Sequence, residues 1–147
     1  MQRLKVSENK RFLCLEDGSP FFWLGDTAWE LFHRLSLEEA ERYFQVRAKQ
    51  GFTVTQTVAL AEFDGLTEPN YYGRFPLLKN EGGAYDPCLW DTAGPNSYWD
   101  HVDAVLDLAK KYNMYVAFVA TWGDKYFKAH GVGPEIFTPE NARIYGR

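Results

Sequence analysis

The apolar positions of the chain change period several times, and each change predicts an element. Leu4-Lys5-Val6 and Arg11-Phe12-Leu13-Cys14-Leu15 alternate in type and lead into Glu16-Asp17-Gly18-Ser19-Pro20, a pattern that predicts an N-terminal hairpin ending in a turn. Phe21-Phe22-Trp23-Leu24 is a short unbroken apolar run stopped by Gly25, the pattern expected of a strand buried on both faces of a parallel sheet. From Ser36 the period becomes helical: Ser36-Leu37-Glu38-Glu39 has the form of a capping box, Ala40, Tyr43, Phe44, Arg47 and Ala48 follow on one face, and Gly51 is placed to stop the helix. The β-branched run Phe52 to Ala59 then predicts a second strand.

The same sequence of signals returns further on. Ser97-Tyr98-Trp99-Asp100 has capping-box spacing, and Val102, Val105, Leu106, Ala109 and Tyr112 line one helical face. Asn113 suits a left-handed stop, and Met114 to Ala120 reads as a third strand. Thr138-Pro139-Glu140-Asn141 opens a further helix, with threonine as cap and proline in the first turn. Helix-to-strand links are very short, whereas Leu60 to Asn96 and Thr121 to Phe137 make long strand-to-helix links. In parallel α/β folds such loops gather at the carboxyl ends of the strands, where ligands bind. The fold class predicted is therefore α/β, as the first three βα units of a parallel (β/α)₈ barrel behind an N-terminal hairpin. Three strands cannot close a barrel of about 250 residues, so residues 1–147 read as the amino-terminal portion of one catalytic barrel, with a small open α/β sheet as the other arrangement.

Composition narrows the function classes. The 147 residues are 46% hydrophobic and 24% charged, which is ordinary for a globular chain. Net charge is −4 with Lys and Arg scattered, so the basic stripe needed for a phosphate backbone is missing and nucleic acid is not an expected partner. Met1 to Phe12 carries charges without an apolar core and no later run reaches membrane-spanning length, so a cytoplasmic chain without a membrane partner is expected, with export of a longer form left open. Cys14 and Cys88 lie far apart and lack metal-type spacing. No nucleophile elbow, P-loop, dinucleotide fingerprint or zinc-protease motif occurs, and no cofactor is expected. The unusual feature is aromatic: 5 Trp, 9 Tyr and 11 Phe make 17% of the chain, and many fall in the long loops.

Those loops also hold the polar candidates. Asp26 and Trp29 follow the first strand, so a carboxylate can meet hydroxyls while an indole stacks on the apolar face of a sugar; Thr27 and Glu30 equally have capping-box spacing. Glu62 and Asp64, at i and i+2 past the second strand, would aim to one side of an extended segment, although Asp64-Gly65 is also ordinary turn chemistry. Trp122 and Asp124 repeat the ring-and-carboxylate arrangement after the third strand. His33 and His130 can reach a cleft, His101 sits on a helix, and none has the close pairing of a metal site. Tyr71, Tyr72, Phe75, Tyr85 and Trp90 would supply either packing or a saccharide platform.

Several of these words in this order carry a resemblance. Phe21 to Leu35 (FFWLGDTAWELFHRL), Val58 to Leu66 (VALAEFDGL), Pro69 to Gly73, Thr121 to Lys125 and Gly131 to Phe137 together resemble the apiosidase-like glycoside hydrolases. The resemblance implies a (β/α)₈ barrel that hydrolyses glycosidic bonds in plant cell-wall polysaccharides, pectic ones among them. It implies that two catalytic carboxylates lie at later strand ends, after Arg147, and that Asp26, Trp29, His33, Glu62, Trp122 and Asp124 line the sugar subsite. The expected partners are thus an oligosaccharide or polysaccharide and the remainder of the barrel. A non-catalytic carbohydrate-binding module and an inactive shortened product are the other two expectations.

Overall fold

A computed structural model describes all of residues 1–147. The N-terminal hairpin forms as predicted, with β1 (Lys5–Val6) antiparallel to β2 (Leu13–Cys14). The main sheet has three parallel strands, β3 (Gly25–Thr27), β4 (Val54–Leu60) and β7 (Tyr115–Thr121), with β4 in the middle. Its register pairs Gly25 with Val54 and Val54 with Tyr115, and near the far end Leu60 with Thr121. The molecule is therefore a mixed α/β fold around a parallel three-stranded sheet.

One strand is displaced from its predicted place. Phe21 to Leu24 is not a strand and is not sealed on both faces, since Phe22 is 74% and Trp23 51% exposed. The side chain of Thr53 takes the place of a ladder partner there, accepting from the Leu24 N–H at 2.9 Å and donating to the Phe22 carbonyl at 2.7 Å. Regular pairing begins only at Gly25, so β3 starts after the apolar run.

Two helices cover one face of the sheet, α2 (Leu37–Lys49) and α3 (Tyr98–Lys111), and both start where capping chemistry predicts. Ser36 accepts from the Glu39 N–H while Glu39 accepts from the Ser36 N–H, and Ser97 with Asp100 does the same. Gly51 and Asn113 take left-handed conformations, with φ of 92° and 57°, and turn each chain directly into β4 and β7. The core lies between helices and sheet, with Phe32, Ala40, Phe44, Tyr98, Val105 and Met114 closed from solvent. The last helix, α5 (Pro139–Tyr145), has the Thr138–Asn141 capping box but buries none of its residues.

The two long strand-to-helix links are partly ordered. Short helices α1 (Leu31–Arg34) and α4 (Asp124–Phe127) follow β3 and β7, and the link after β4 contains an antiparallel hairpin, β5 (Leu77–Lys79) with β6 (Tyr85–Trp90). Leu60, Leu66 and Leu77 form a second apolar cluster beyond the carboxyl end of the sheet, backed by Tyr85, Ile136, Phe137 and Tyr145. No helix is long and apolar enough to cross a membrane.

Candidate functional site

Trp29 and Trp122 leave the carboxyl ends of the two outer strands and meet above the central one. The Trp29 carbonyl accepts from the Val58 N–H at 3.3 Å, and the Trp122 N–H donates to the Leu60 carbonyl at 3.1 Å, so both backbones are tied to β4. Their rings sit edge to face, centroids 4.8 Å apart at 83°, and both are only half-buried. The Trp122 indole N–H donates to the His130 carbonyl at 2.9 Å, which fixes the ring's rotation. Edge-to-face pairing leaves one indole face of the pair uncovered by its partner.

The four acidic candidates occupy different surroundings. Asp26 lies within β3, opposite Thr55, and points to the helix-covered side of the sheet. There its carboxylate accepts from the Tyr43 hydroxyl at 2.9 Å and pairs with Arg47 Nε at 2.5 Å. Burial, opposed by the Thr55 hydroxyl and aided by Asp26, pushes the Tyr43 phenol up to about 12. Asp124 is fully buried, beneath the rim rather than on it. Asp64 is exposed in a turn whose backbone it closes, its carbonyl accepting from the N–H groups of Thr67 and Glu68. Glu62 is half-buried; only its carbonyl is engaged, by Lys125, and its carboxylate is free of ion pairs.

His33 is buried and held at both ring nitrogens. Nδ1 lies 2.9 Å from the Glu30 carboxylate and Nε2 3.0 Å from the Glu68 carbonyl. Burial alone would lower its pKa, but the hydrogen bonds to Glu30 and Glu68 and the charge on Glu30 raise it above the ordinary value. The same bond from His33, more than the burial that opposes it, holds Glu30 below the usual carboxylate range. His33 thus clamps the loop after β4 to α1, beside an open cleft of about 390 Å³ that also touches Arg34, Asp64, Asn70 and Tyr71. His101 packs against Tyr72, and burial lowers its pKa. His130 is exposed and contributes its carbonyl to Trp122.

The loop aromatics divide in two. Trp90 rests against Trp99 and Tyr145 while staying partly exposed, and Tyr85 lies under the Lys79 ammonium. Tyr71 is 61% exposed and rests edge-on against Tyr72, whose hydroxyl accepts from the Leu37 N–H at 2.8 Å. The structure therefore brings together Trp29, Trp122 and the Glu62 segment, and sets Asp26 and Asp124 inside supporting networks. Lys125, Arg47 and Tyr43 are the residues that sequence reasoning misses. Nothing local marks them, because their partners depend on which way β3 and the loop after β7 face; Glu30 with His33 has a local signal in its i, i+3 spacing.

A parallel α/β sheet with aromatic rings and a free carboxylate along its carboxyl rim defines the class of fold that binds ligands between its strand-end loops. Residues 7–147 match the family described as apiosidase-like, catalytic domain, and the chain belongs to that family. Its fold is similar to a solved glycoside hydrolase, with a TM-score of 0.71 and 29% identity over 99% of this chain and 30% of that one. It is also similar to a glycoside hydrolase family 5 protein from Bacteroides vulgatus ATCC 8482, with a TM-score of 0.77 and 28% identity over 98% of this chain and 28% of that one. An endo-1,4-beta-mannanase from Rhizomucor miehei shares the fold at 12% identity, with a TM-score of 0.56 over 82% of this chain and 32% of its own. The chain thus spans about 30% of the length of the first of these solved relatives. No curated protein matches the sequence.

Proposed function

We propose that this chain supplies the sugar-binding strand ends of a glycosidase acting on plant cell-wall, in particular pectic, polysaccharide. The carrying observation is the Trp29–Trp122 pair at the carboxyl rim, with Glu62 in the adjoining segment. A half-exposed indole gives a flat apolar surface for one face of a sugar ring, and a carboxylate without an ion pair accepts its hydroxyls. Family membership and the glycoside hydrolase neighbours support this reading over other ligands of α/β folds.

Hydrolysis needs two carboxylates across the glycosidic bond, about 5–5.5 Å apart for retention or roughly 6.5–9.5 Å for inversion. Asp26 is paired with Arg47 and Asp124 with Lys125, while Asp64, which has no ion pair, sits in an exposed turn lining the His33 cleft, whose walls do not include the indole pair. We therefore assign Trp29, Trp122 and Glu62 to substrate positioning. Both catalytic carboxylates would come from other parts of a (β/α)₈ barrel of which residues 1–147 form the amino-terminal portion. The unpaired outer edges of β3 and β7 support that arrangement, since a barrel strand would add at each.

The test is a titration of the 147-residue chain with pectic oligosaccharides beside an assay on a panel of aryl glycosides. Binding without turnover is expected, weakened in Trp29→Ala and Trp122→Ala by about 1–3 kcal/mol, the scale on which a nucleobase stacked on an aromatic side chain is held. Hydrolysis by the chain alone, abolished by Glu62→Gln, would overturn the assignment. Turnover in no longer form of the protein, with binding intact, would make it a carbohydrate-binding module.

A further inference from the structure

Asp124 and Lys125 open α4, and neither side chain reaches solvent. Lys125 Nζ donates to Asp124 Oδ2 at 2.7 Å and to the Glu62 carbonyl at 3.3 Å. The same Oδ2 accepts from the Gly133 N–H at 2.9 Å. The loop is shaped around this carboxylate: a Cβ on Gly131 would lie 2.5 Å from Oδ2, so only glycine fits there. The Lys125 carbonyl accepts from the N–H groups of Ile136 and Phe137, which closes the loop after β7 into a ring. Asp124 Oδ1 is buried without any hydrogen-bond partner.

Stability does not account for such a pair. Desolvating two charges offsets most or all of their attraction, and a carboxylate oxygen left without a donor adds to the cost. Well-packed uncharged side chains of similar volume often hold a fold as firmly as a buried ion pair. They would lack the direction of the Lys125 contact, which crosses from the strand-end loop of β7 to the strand-end loop of β4 and stops at the backbone of Glu62. The other end of the same loop holds Trp122, through the His130 carbonyl. One charged pair thus fixes the segments that carry the rim carboxylate and the rim indole.

We propose that Asp124 and Lys125 are positioning residues that set Glu62 and Trp122 in register with each other, without themselves touching saccharide. This rests on the sugar-site reading of the rim, and the experiment separates the two. Asp124→Asn/Lys125→Met removes both charges at nearly constant shape and leaves an amide oxygen for Gly133. Three quantities are measured on the 147-residue chain: the thermal midpoint, the ¹⁵N-resolved indole N–H signal of Trp122 assigned with Trp122→Phe, and affinity for a mixed pectic oligosaccharide. The expected result is an unchanged midpoint, a shifted and faster-exchanging Trp122 indole, and affinity lower by about tenfold, equivalent to ~1.4 kcal/mol. Lys125→Arg with Asp124 intact restores the indole signal and the affinity. An unchanged indole signal with unchanged affinity overturns the proposal, and so does an affinity loss that only follows a lower midpoint. If the unsubstituted chain binds no saccharide, the rim reading fails, while the indole signal still decides whether the pair sets Trp122.

Discussion

His33 shows how much one side chain can depend on protonation. Both ring nitrogens face acceptors, the Glu30 carboxylate and the Glu68 carbonyl, so only the doubly protonated ring satisfies both. Its folded pKa lies above the ordinary 6.5, so its contribution to stability is complete below about that pH and is lost as pH rises through the folded value. Glu30 is shifted the other way, below its ordinary 4.5; its contribution is complete above that pH and is lost as acid passes the folded value. The clamp is therefore strongest between the two. Urea midpoints should fall from pH 6 to pH 8 in the unsubstituted chain, and the fall should vanish in His33→Gln, whose amide keeps a hydrogen bond without titrating. An equal fall in both would show that another group is responsible. At this scale the sequence already places Trp29 and Trp122, because both follow strands directly. It cannot place Asp26: the apolar run Phe21 to Leu24 marks a strand that ends before Asp26, whereas β3 runs Gly25–Thr27, so Asp26 sits within the sheet and not in a loop past it.

Elements were legible where their signals are local. The starts of α2, α3 and α5 follow from capping boxes that span four residues each, and the stops of α2 and α3 from the left-handed residues Gly51 and Asn113. The β5–β6 hairpin was not, since Pro87 interrupts its second strand and its rings suggest a platform rather than a pair of strands. What holds that hairpin in place is tertiary. Arg74 grips Asp91 with two prongs, at 2.6 and 2.5 Å, and also donates to the Ala93 carbonyl at 2.8 Å. Asp91 in turn accepts from the Tyr98 N–H at the start of α3, so one carboxylate joins the hairpin to a core helix. The Arg74 bond, more than the burial that opposes it, holds the Asp91 carboxyl below its usual range. Asp91→Ala should destabilise the chain by about 2 kcal/mol, less than the roughly 3–5 of a fully buried pair because the Arg74 side chain is 31% exposed. Denaturant unfolding measures this directly; a cost near zero would mean that the hairpin docks through its apolar contacts alone, such as Leu77 against Leu60.

The whole molecule presents a sheet with one covered strand and two bare edges. β4 is paired on both sides, whereas β3 and β7 each pair on one side only. Around β7 the apolar surface is also open: Phe118 is 43% exposed, Trp90 38%, and both line a pocket of about 130 Å³ with Trp99, Ala120 and Tyr145. An open strand edge beside exposed rings favours pairing with another chain, because each new backbone hydrogen bond also buries ring surface. In relatives that are about three times as long, further chain is available to occupy such edges. For the 147 residues by themselves, a second copy is the ready partner. Light scattering on the purified chain should accordingly give a mass above 17.0 kDa that rises with concentration. Phe118→Lys, which puts a charge on the open edge and removes the exposed ring, should return the mass to that of a single chain. A monodisperse monomer before any substitution would show that the twist of a three-stranded sheet already protects its edges. Association unaffected by Phe118→Lys would move the contact to the other exposed aromatic surface, at Phe22 and Trp23 beside β3.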